Sequence, residues 1–313
     1  MPRYLVTGGA GFIGSNLVEE LLRQGHDVRV LDNLSTGKRE NLAPWRNDLD
    51  FVEGDIRSYH IVHQAMKGID VVLHQAALPS VPRSIVDPIT THEVNTNGTL
   101  NILGAARDNG VARVVFASSS SIYGNSPALP KSEEMMPNPL SPYAVSKLTG
   151  EKYMEVFHAL YGMETVSLRY FNVFGPRQDP ASQYSAVIPR FITAMREGRR
   201  PMVFGDGEQS RDFTFIANVV DANLRAAVTE GVAGAIMNIA CNDRITLNQL
   251  VAQINAELGT SIEAEHAAPR LGDVKHSYAS IENAARVMQY RPSVSFTEGL
   301  RCTIDHYRSL RSD

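Results

Sequence analysis

Tyr143 and Lys147 lie four residues apart, and their side-chain types could move a proton together. This spacing puts both side chains on one face of a helix, which the pattern predicts over residues 143–161. A free tyrosine ionises at about pH 10 and is a poor base at neutral pH, but a nearby ammonium favours the phenolate and lowers its pKa. The pair therefore predicts a phenol base. On this pair alone, a solvated helix face remains the alternative.

A run of four serines, Ser118–Ser121, precedes that tyrosine in the chain and is followed by Tyr123 and Gly124. The run lies at the end of a predicted strand that begins at Arg113. In open α/β sheets, ligands bind at the carboxyl ends of the strands. These hydroxyls are therefore placed to hydrogen bond with a substrate oxygen and relay its proton.

The segment Thr7–Gly14 has glycines at Gly8, Gly11 and Gly14, between the first predicted strand and the first predicted helix. Without side chains, the backbone can turn tightly and approach a pyrophosphate, whose charge meets the helix N-terminus. The second strand ends at Asp32, where a carboxylate can accept hydrogen bonds from adenosine ribose hydroxyls. This combination predicts dinucleotide binding rather than a purely structural tight turn.

The cofactor predicted by Asp32 is NAD rather than NADP, because a carboxylate there repels a 2′-phosphate. Lys38 and Arg39 lie close in sequence and keep NADP open. Asp55 and Ile56 follow the third strand and could hold the adenine edge, although Asp55 could equally cap a helix. The full set, which includes two small residues after the fourth strand, is Gly8, Gly11, Phe12, Ile13, Gly14, Asp32, Asn33, Asp55, Ile56, Ala76 and Ala77.

Short apolar runs alternate with longer helical patterns up to residue 171. Strands are predicted at residues 4–7, 28–32, 51–53, 71–74, 113–117 and 165–169. Helices are predicted at residues 12–24, 92–108 and 143–161, the last with Ser141 as its N-cap and Pro142 at its first position. Apolar strands separated by helices indicate a parallel sheet that is covered on both faces.

Beyond residue 172, helical patterns at 217–229, 247–258 and 298–307 are separated by short strands. The predicted class is therefore α/β, with a doubly wound parallel (Rossmann) sheet and a smaller C-terminal α/β lobe. We expect a NAD-binding domain over residues 1–171 and mainly a substrate-binding lobe over residues 172–313, from which the chain can cross back to the sheet.

Composition and charge argue against several other classes of protein. The net charge of −4, with mixed signs, gives no broad basic field for nucleic acid or anionic lipid. No stretch approaches about 18 uninterrupted apolar residues and no N-terminal leader pattern is seen, so we expect no membrane association and a cytoplasmic protein. The two cysteines, Cys241 and Cys302, are far apart and indicate neither disulfides nor zinc. His60 and His63 bring no third ligand, so no metal is expected.

In order and spacing, the glycine turn, Asp32, the serine run and the Tyr143–Lys147 pair resemble the extended short-chain dehydrogenase/reductase family. The resemblance implies that Ser119 is the catalytic hydroxyl, Tyr143 the base, and Lys147 the residue that orients the nicotinamide ribose. Tyr143 and Lys147 then also contact the cofactor. Asn95 resembles an asparagine that the family places near the cofactor, although a helix cap is an equal alternative.

The residues after Ser119 favour an epimerase within this family. Its dehydratases have an acidic pair there, and its sugar-nucleotide decarboxylases have a glutamate in this loop, whereas this chain has Ser120 and Ser121. Elimination then lacks its general acid, which leaves reversible oxidation at one carbon. The implied reaction is NAD-dependent epimerisation at C4 of a UDP-sugar through a 4-keto intermediate, with Tyr143 taking and returning the proton.

Nearly the whole chain resembles bacterial UDP-N-acetylglucosamine 4-epimerases, through residues 76–84, 178–189 and 272–278. This implies that Asn172, Arg211 and Arg270 bind the sugar diphosphate, since guanidinium groups match phosphate oxygens, and that Asp273 binds the uridine ribose. Solvated surface charges are the alternative for the arginines. The substrate contacts implied in full are Ser80, Ser119, Ser120, Tyr143, Asn172, Val187, Arg211, Arg270, Asp273 and Ser277.

Ser277 lies where the relatives border the pocket for the C2 substituent of the sugar. A small side chain there admits an N-acetyl group, so we expect UDP-GlcNAc and UDP-GalNAc as substrates. At the position of Pro79 we associate a glycine with N-acetyl-selective relatives. This difference keeps UDP-glucose and UDP-galactose open as substrates.

Two other functions stay open. A UDP-glucuronate 4-epimerase shares the serine-rich loop, but Asn172 stands where we expect threonine in that class. A catalytically silent sensor of nucleotide sugar or NAD has no use for a tuned phenolate. The resemblance also implies a homodimer through helices near residues 93–108 and 143–160.

Overall fold

Strands and helices alternate along the part of the chain that the structure, a computed structural model, describes: residues 1–180, 186–268 and 275–309. The strands are β1 (Arg3–Thr7), β2 (Asp27–Asp32), β3 (Asp50–Glu53), β4 (Val71–His74), β5 (Arg113–Ser119), β6 (Glu164–Tyr170), β7 (Val173–Phe174), β8 (Met202–Phe204), β9 (Ser210–Arg211), β10 (Thr214–Phe215), β11 (Ile236–Ile239), β12 (Ile245–Thr246) and β13 (Glu265–Ala267). The helices are α1 (Phe12–Arg23), α2 (Tyr59–Ala65), α3 (Val81–Val86), α4 (Pro88–His92), α5 (Gly98–Asp108), α6 (Pro142–Tyr161), α7 (Val187–Arg196), α8 (Ile216–Val228), α9 (Leu247–Leu258), α10 (Glu282–Met288) and α11 (Phe296–Ser309).

The main sheet has seven parallel strands in the order β11-β6-β5-β4-β1-β2-β3. The predicted parallel α/β sheet is therefore confirmed. The strand order proceeds in opposite directions from the boundary between β1 and β4, because β2 and β3 follow on one side and β5 and β6 on the other. Such sheets bind ligands at this switch point. The seventh strand, β11, is the place where the chain crosses back from the C-terminal segment.

Both faces of this sheet are buried, as side-chain alternation along β1 shows. Tyr4 and Val6 pack into a core that includes Leu17 of α1 and Val219 of α8. Leu5, between them, packs into the opposite core with residues of α2 and α5. Full burial of each such apolar side chain contributes roughly 1.5–3 kcal/mol to the free energy of unfolding. The doubly wound arrangement therefore follows from strands that are apolar on both faces.

The C-terminal segment adds three two-stranded sheets, which pair β7 with β10, β8 with β13 and β9 with β12. An aromatic cluster joins β7, β10 and α11: the ring of Phe174 lies 5.6 Å from Phe215 and 5.5 Å from Phe296, centroid to centroid. Helix α8 packs against α1 and β5 of the main sheet. The division of the chain at residues 171 and 172 remains a prediction.

Predicted helix bounds differ from the observed ones most around residue 92. The helix expected over residues 92–108 is broken into α4, a π-helical turn over Glu93–Asn97, and α5. Helices α3, α7 and α10 were not expected. No helix in the residues that the structure describes has the length and apolarity needed to span a membrane.

Candidate active site

The glycine turn between β1 and α1 forms a cradle without side chains. Gly8 has a φ of +68°, and a Cβ there would lie 2.8 Å from the backbone of Ala76. A Cβ on Gly14 would lie 2.1 Å from the carbonyl oxygen of Gly8. Gly11, the N-cap of α1, offers no side chain to the first helical N–H groups. The turn therefore fits a pyrophosphate at the helix N-terminus.

Asp32 lies beside this turn at the end of β2, with 7% of its surface exposed. One carboxylate oxygen accepts a hydrogen bond from the N–H of Ala10 (3.0 Å) and the other from the N–H of Leu34 (2.8 Å). Burial raises the pKa of this carboxyl above its usual value. Each carboxylate oxygen has a further lone pair, so Asp32 can still accept from ribose hydroxyls.

The two nearby cations are paired with other carboxylates. Lys38 Nζ lies 2.9 Å from an oxygen of Asp179, and Arg39 forms an ion pair with Glu53. The charge that faces the ribose position is therefore that of Asp32. This arrangement fits NAD better than NADP, because a carboxylate repels a 2′-phosphate.

One cleft at the carboxyl ends of the main-sheet strands brings most of the expected cofactor residues together. Those that line it are Gly8, Gly11, Phe12, Ile13, Gly14, Asp32, Asn33, Asp55, Ile56, Ala76, Ala77, Tyr143 and Lys147. Residues in the same lining to which the sequence assigned no role include Gln75, Leu78, Val94, Ala117 and Tyr170. Gln75 and Tyr170 sit at or just beyond the ends of β4 and β6, and Ala117 lies two residues before the end of β5; this position near strand ends is the signal that could have found them.

Asp55 lines the cleft as one partner of a surface ion pair. Its carboxylate accepts hydrogen bonds from Arg57 and, at 2.9 Å, from the amide of Asn33. Arg57 is the main reason that the pKa of Asp55 falls to about 2. Ser58 occupies the N-cap position of α2, without a side-chain cap bond, so Asp55 is not the helix N-cap that the sequence left open.

Asn95 is buried behind the cleft wall rather than exposed in its lining. Its side-chain oxygen accepts from the N–H of Leu78 (2.7 Å), and its amide donates to the carbonyl of Leu78 (3.1 Å) and to Ser146 Oγ (3.1 Å). Asn95 therefore ties the segment after β4 to α6. It lies in the π-helical turn and caps no helix.

The catalytic candidates meet where α6 packs against the end of β5. Ser141 caps this helix, with Ala144 N–H donating to its Oγ at 3.2 Å, and Pro142 holds the first position, as predicted. Ser119 lies close enough to Tyr143 for its hydroxyl to act on the phenol. Burial raises the pKa of Tyr143, and the nearby Ser119 hydroxyl opposes this rise. The folded chain therefore does not show the lowered pKa expected from the sequence, because desolvation outweighs the effect of Ser119.

Lys147 is almost fully buried one helical turn after Tyr143. Its Nζ donates to the carbonyl oxygen of Ala117 at 2.7 Å and lies 4.9 Å from the ring centroid of Phe116. Desolvation lowers the pKa of Lys147 to about 7, while the charge of Glu151 opposes this. An ammonium has three donors, so two remain for ribose hydroxyls.

Three of the expected substrate residues meet around Asp212, next to β9. The amide of Asn172 donates to the carbonyl of Asp212 at 2.9 Å, and Ser277 exchanges backbone hydrogen bonds with Ser210 and Asp212. Arg211 donates to the carbonyl of Ser210 at 2.9 Å. The structure therefore gathers Asn172, Arg211 and Ser277 around Ser210 and Asp212.

The remaining expected substrate residues are spread over several elements. Ser80 is the N-cap of α3 with a φ of +98°, Ser120 begins a short 3₁₀ turn, and Val187 is the first residue of α7. Arg270 and Asp273 lie outside the described residues. Ser121 Oγ, which the sequence singled out only as part of the serine run, is buried with no hydrogen-bond partner among the described residues. No group of three or more potential metal ligands occurs in that part of the chain.

Comparison with known proteins gives consistent matches over the chain. The model of the NAD-dependent epimerase/dehydratase family matches residues 4–240. The UDP-glucose 4-epimerase of Mycolicibacterium smegmatis is 40% identical over 98% of this chain and 99% of its own length. The UDP-N-acetylglucosamine 4-epimerase of Methanobrevibacter ruminantium, solved with UDP-N-acetylmuramic acid, superposes with a TM-score of 0.95 at 39% identity, covering 99% of both chains. The UDP-glucose 4-epimerase of Thermus thermophilus, solved with NAD, gives a TM-score of 0.90 at 39% identity and covers 99% of this chain and 100% of its own.

Proposed function

The chain belongs to the NAD-dependent epimerase/dehydratase family, and on that premise we propose that it interconverts UDP-GlcNAc and UDP-GalNAc by epimerisation at C4. The observation that carries this proposal is the placement of Tyr143 beside Ser119 at a dinucleotide cleft, with Lys147 one turn away. Ser120 and Ser121 follow, where a dehydratase would need carboxylic acids. The site can therefore exchange a proton with a hydroxyl but has no acid placed there for elimination.

In the proposed reaction, Tyr143 Oη accepts the proton of the C4 hydroxyl while Ser119 Oγ holds the same oxygen. The glycine turn, Asp32 and Lys147 would hold NAD, which would supply reversible hydride transfer at C4. Lys147 orients the nicotinamide ribose and favours the phenolate form of Tyr143 by its charge. The glycine turn and Asp32 hold the other half of the dinucleotide.

The 4-keto sugar formed in this way has to rotate in the site before it is reduced, so that the hydride reaches the opposite face of C4. Tyr143 then returns the proton to the new hydroxyl. Asn172, Arg211 and Ser277 lie together around Ser210 and Asp212. We propose that the first two, with Arg270 and Asp273, hold the UDP group while the sugar rotates.

The choice of an N-acetylated sugar is supported by Ser277. Its backbone is fixed by the hydrogen bonds to Ser210 and Asp212, and its side chain is half-buried and small. A small side chain next to the C2 position leaves room for an acetamido group. The same room does not exclude a plain C2 hydroxyl, so UDP-glucose and UDP-galactose are proposed as further substrates.

We also propose that the enzyme is a cytoplasmic homodimer. Helices α3 and α4 pack beside α6, and together they expose large apolar side chains. Ile85, Val86 and Ile89 are 64%, 80% and 72% exposed, and Leu160 on α6 is 71% exposed. An exposed apolar surface of this kind marks an interaction site. A second copy of the chain is the occupant that the family resemblance implies, which light scattering of the purified protein tests.

The experiment that tests the proposed activity supplies UDP-GlcNAc, UDP-glucose and UDP-glucuronate separately to purified protein without added NAD. NMR spectra resolve the C4 epimers. Formation of UDP-GalNAc supports the proposal and indicates that NAD is retained from the cell. Conversion of UDP-glucuronate alone would make the protein a UDP-glucuronate 4-epimerase instead. No epimer from any of the three, even with NAD supplied, would falsify it.

A further inference from the structure

A buried ion pair lies directly behind the catalytic residues. Glu151 of α6 and Arg169 of β6 are joined by two hydrogen bonds of 2.9 and 2.8 Å, with side chains that are 0% and 3% exposed. Arg169 also donates to the hydroxyl of Tyr123 at 2.8 Å. Ser118 Oγ donates to the carboxylate of Glu151. The pair thus connects α6 to the ends of both β5 and β6.

Glu151 continues a stripe of functional side chains along α6. Tyr143, Lys147 and Glu151 are spaced by four residues, so each lies one turn after the last on the same face. Each of them meets a group from the end of β5: Ser119 for Tyr143, the carbonyl of Ala117 for Lys147, and Ser118 for Glu151. The carboxylate is therefore in register with the catalytic residues.

The other groups around Lys147 do little to keep it charged. From β4, His74 is fully buried between Thr7 and Thr99, and desolvation lowers its pKa to about 3, so it carries no charge near neutral pH. From β5 come the ring of Phe116 and the carbonyl of Ala117. The negative charge that opposes the desolvation of Lys147 is that of Glu151.

We propose that Glu151 is a positioning residue of the reaction: it holds Lys147 in its charged form beside Tyr143 and, through Ser118, fixes the strand end that carries Ser119. The proposal rests on the function given above. Arg169 has the complementary task, because its two hydrogen bonds fix the carboxylate in one orientation.

A structural role for the pair predicts something different. Buried ion pairs often add little net stability, and neutral replacements of both partners are often tolerated, whereas removal of one partner leaves a costly unpaired charge. If Glu151 serves only to neutralise Arg169, then loss of both charges together restores the protein fully. If Glu151 supports Lys147, loss of both charges still leaves Lys147 without its carboxylate.

The decisive pair of variants is Glu151→Gln and the double variant Glu151→Gln with Arg169→Gln. Side-chain NMR follows the protonation of Lys147 in the isolated protein, with its signal assigned by its absence in Lys147→Met. We expect the midpoint to fall by about one pH unit in Glu151→Gln, since an opposite charge nearby is worth roughly that much or more. The fall should be smaller in the double variant, because loss of the Arg169 charge favours the protonated form of Lys147. Glu155→Gln, which removes an exposed carboxylate from the same helix, is the matched control and should leave the midpoint in place.

The pH profile of turnover gives the second readout. If Lys147 loses its charge at a lower pH, the alkaline limb of the profile shifts to lower pH by the same amount. At a fixed pH on that limb, kcat then falls about tenfold for each pH unit of the shift. If Glu151→Gln alone does not fold, the double variant decides the question. An unmoved Lys147 midpoint and an unmoved limb in the double variant overturn the proposal. The NMR titration needs no substrate, so an inactive wild type would remove the proposed function without obscuring the result for Lys147.

Discussion

Ser119 lies close enough to Tyr143 to act on its hydroxyl, although Tyr143 is in the first turn of a helix and Ser119 ends a strand. The packing of α6 against β5 creates this contact and places it beside the cleft. Burial raises the pKa of the phenol, so its activation as a base depends on the charges and hydrogen bonds around it. Ser119 supplies one of these influences and Lys147 is placed to supply another.

Removal of the phenol oxygen tests this arrangement most directly. Tyr143→Phe keeps the ring but loses the group that we propose accepts the C4 proton, so we expect turnover to fall by a factor of roughly 10²–10⁴. NAD should remain bound, because the glycine turn and Asp32 are untouched. NMR of the epimers and the NAD released on denaturation measure the two properties. Tyr153→Phe on the same helix is the control, and near-normal turnover of Tyr143→Phe would show that another residue is the base.

Gly14→Ala tests the cofactor cradle. The added Cβ would lie 2.1 Å from the carbonyl oxygen of Gly8, which forces the turn to move. We expect the variant to lose bound NAD and to unfold at lower denaturant concentration. Gly104→Ala in α5 is the matched control: its Cβ would meet Tyr59 at an ordinary 3.5 Å, and a helical alanine is favoured by roughly 0.5–1 kcal/mol over glycine. Retention of NAD by Gly14→Ala would contradict the proposed cradle.

The strands of the N-terminal part were predictable because their apolar runs and turn residues are local signals. Each predicted strand up to residue 171 agrees with β1–β6 within two residues at either end. The break between α4 and α5 was missed because residues 93–97, although mostly polar, contain no proline, and the π-helical turn continues the helical backbone between the two helices. It carries Asn95, whose bonds to Leu78 depend on a segment 17 residues away.

The candidate site was predictable in its motifs but not in its supporting contacts. Gly8, Asp32 and Tyr143 stand in spacings that predict a dinucleotide cleft and a base. By contrast, the pairing of Glu151 with Arg169 joins two elements whose proximity only the folded sheet determines. The pKa of a buried group depends in the same way on desolvation, which sequence spacing does not report.

Ser277→Tyr tests the proposed pocket for the C2 substituent. A tyrosine at this half-buried position would occupy the space assigned to the N-acetyl group. We expect the ratio of kcat/KM for UDP-GlcNAc to that for UDP-glucose to fall by at least about tenfold, which corresponds to about 1.4 kcal/mol of selective loss. Ser277→Ala should leave the ratio near that of the wild type. An unchanged ratio in Ser277→Tyr would place the C2 substituent elsewhere.

Asp212 gives a prediction for stability and pH. Its buried carboxylate accepts from the N–H groups of Cys241 (2.9 Å) and Ala279 (3.4 Å), and desolvation raises its pKa from 3.8 to about 7. The folded protein thus holds this proton more tightly than the unfolded chain does. The contribution of Asp212 to the free energy of unfolding therefore falls as the pH rises from about 4 to about 7, by up to about 4 kcal/mol.

Asp212→Asn removes this titration while it keeps the size of the side chain. We expect the wild type to lose stability relative to the variant between pH 5 and pH 8, with the difference between their free energies of unfolding shifting by 2 kcal/mol or more, roughly half of that maximum. Urea unfolding at both pH values measures it, and equal m-values show that the same surface is exposed. A difference that stays constant with pH would mean that Asp212 is already ionised in the folded protein at pH 5. Its hydrogen bonds to Cys241 and Ala279 would then outweigh its burial.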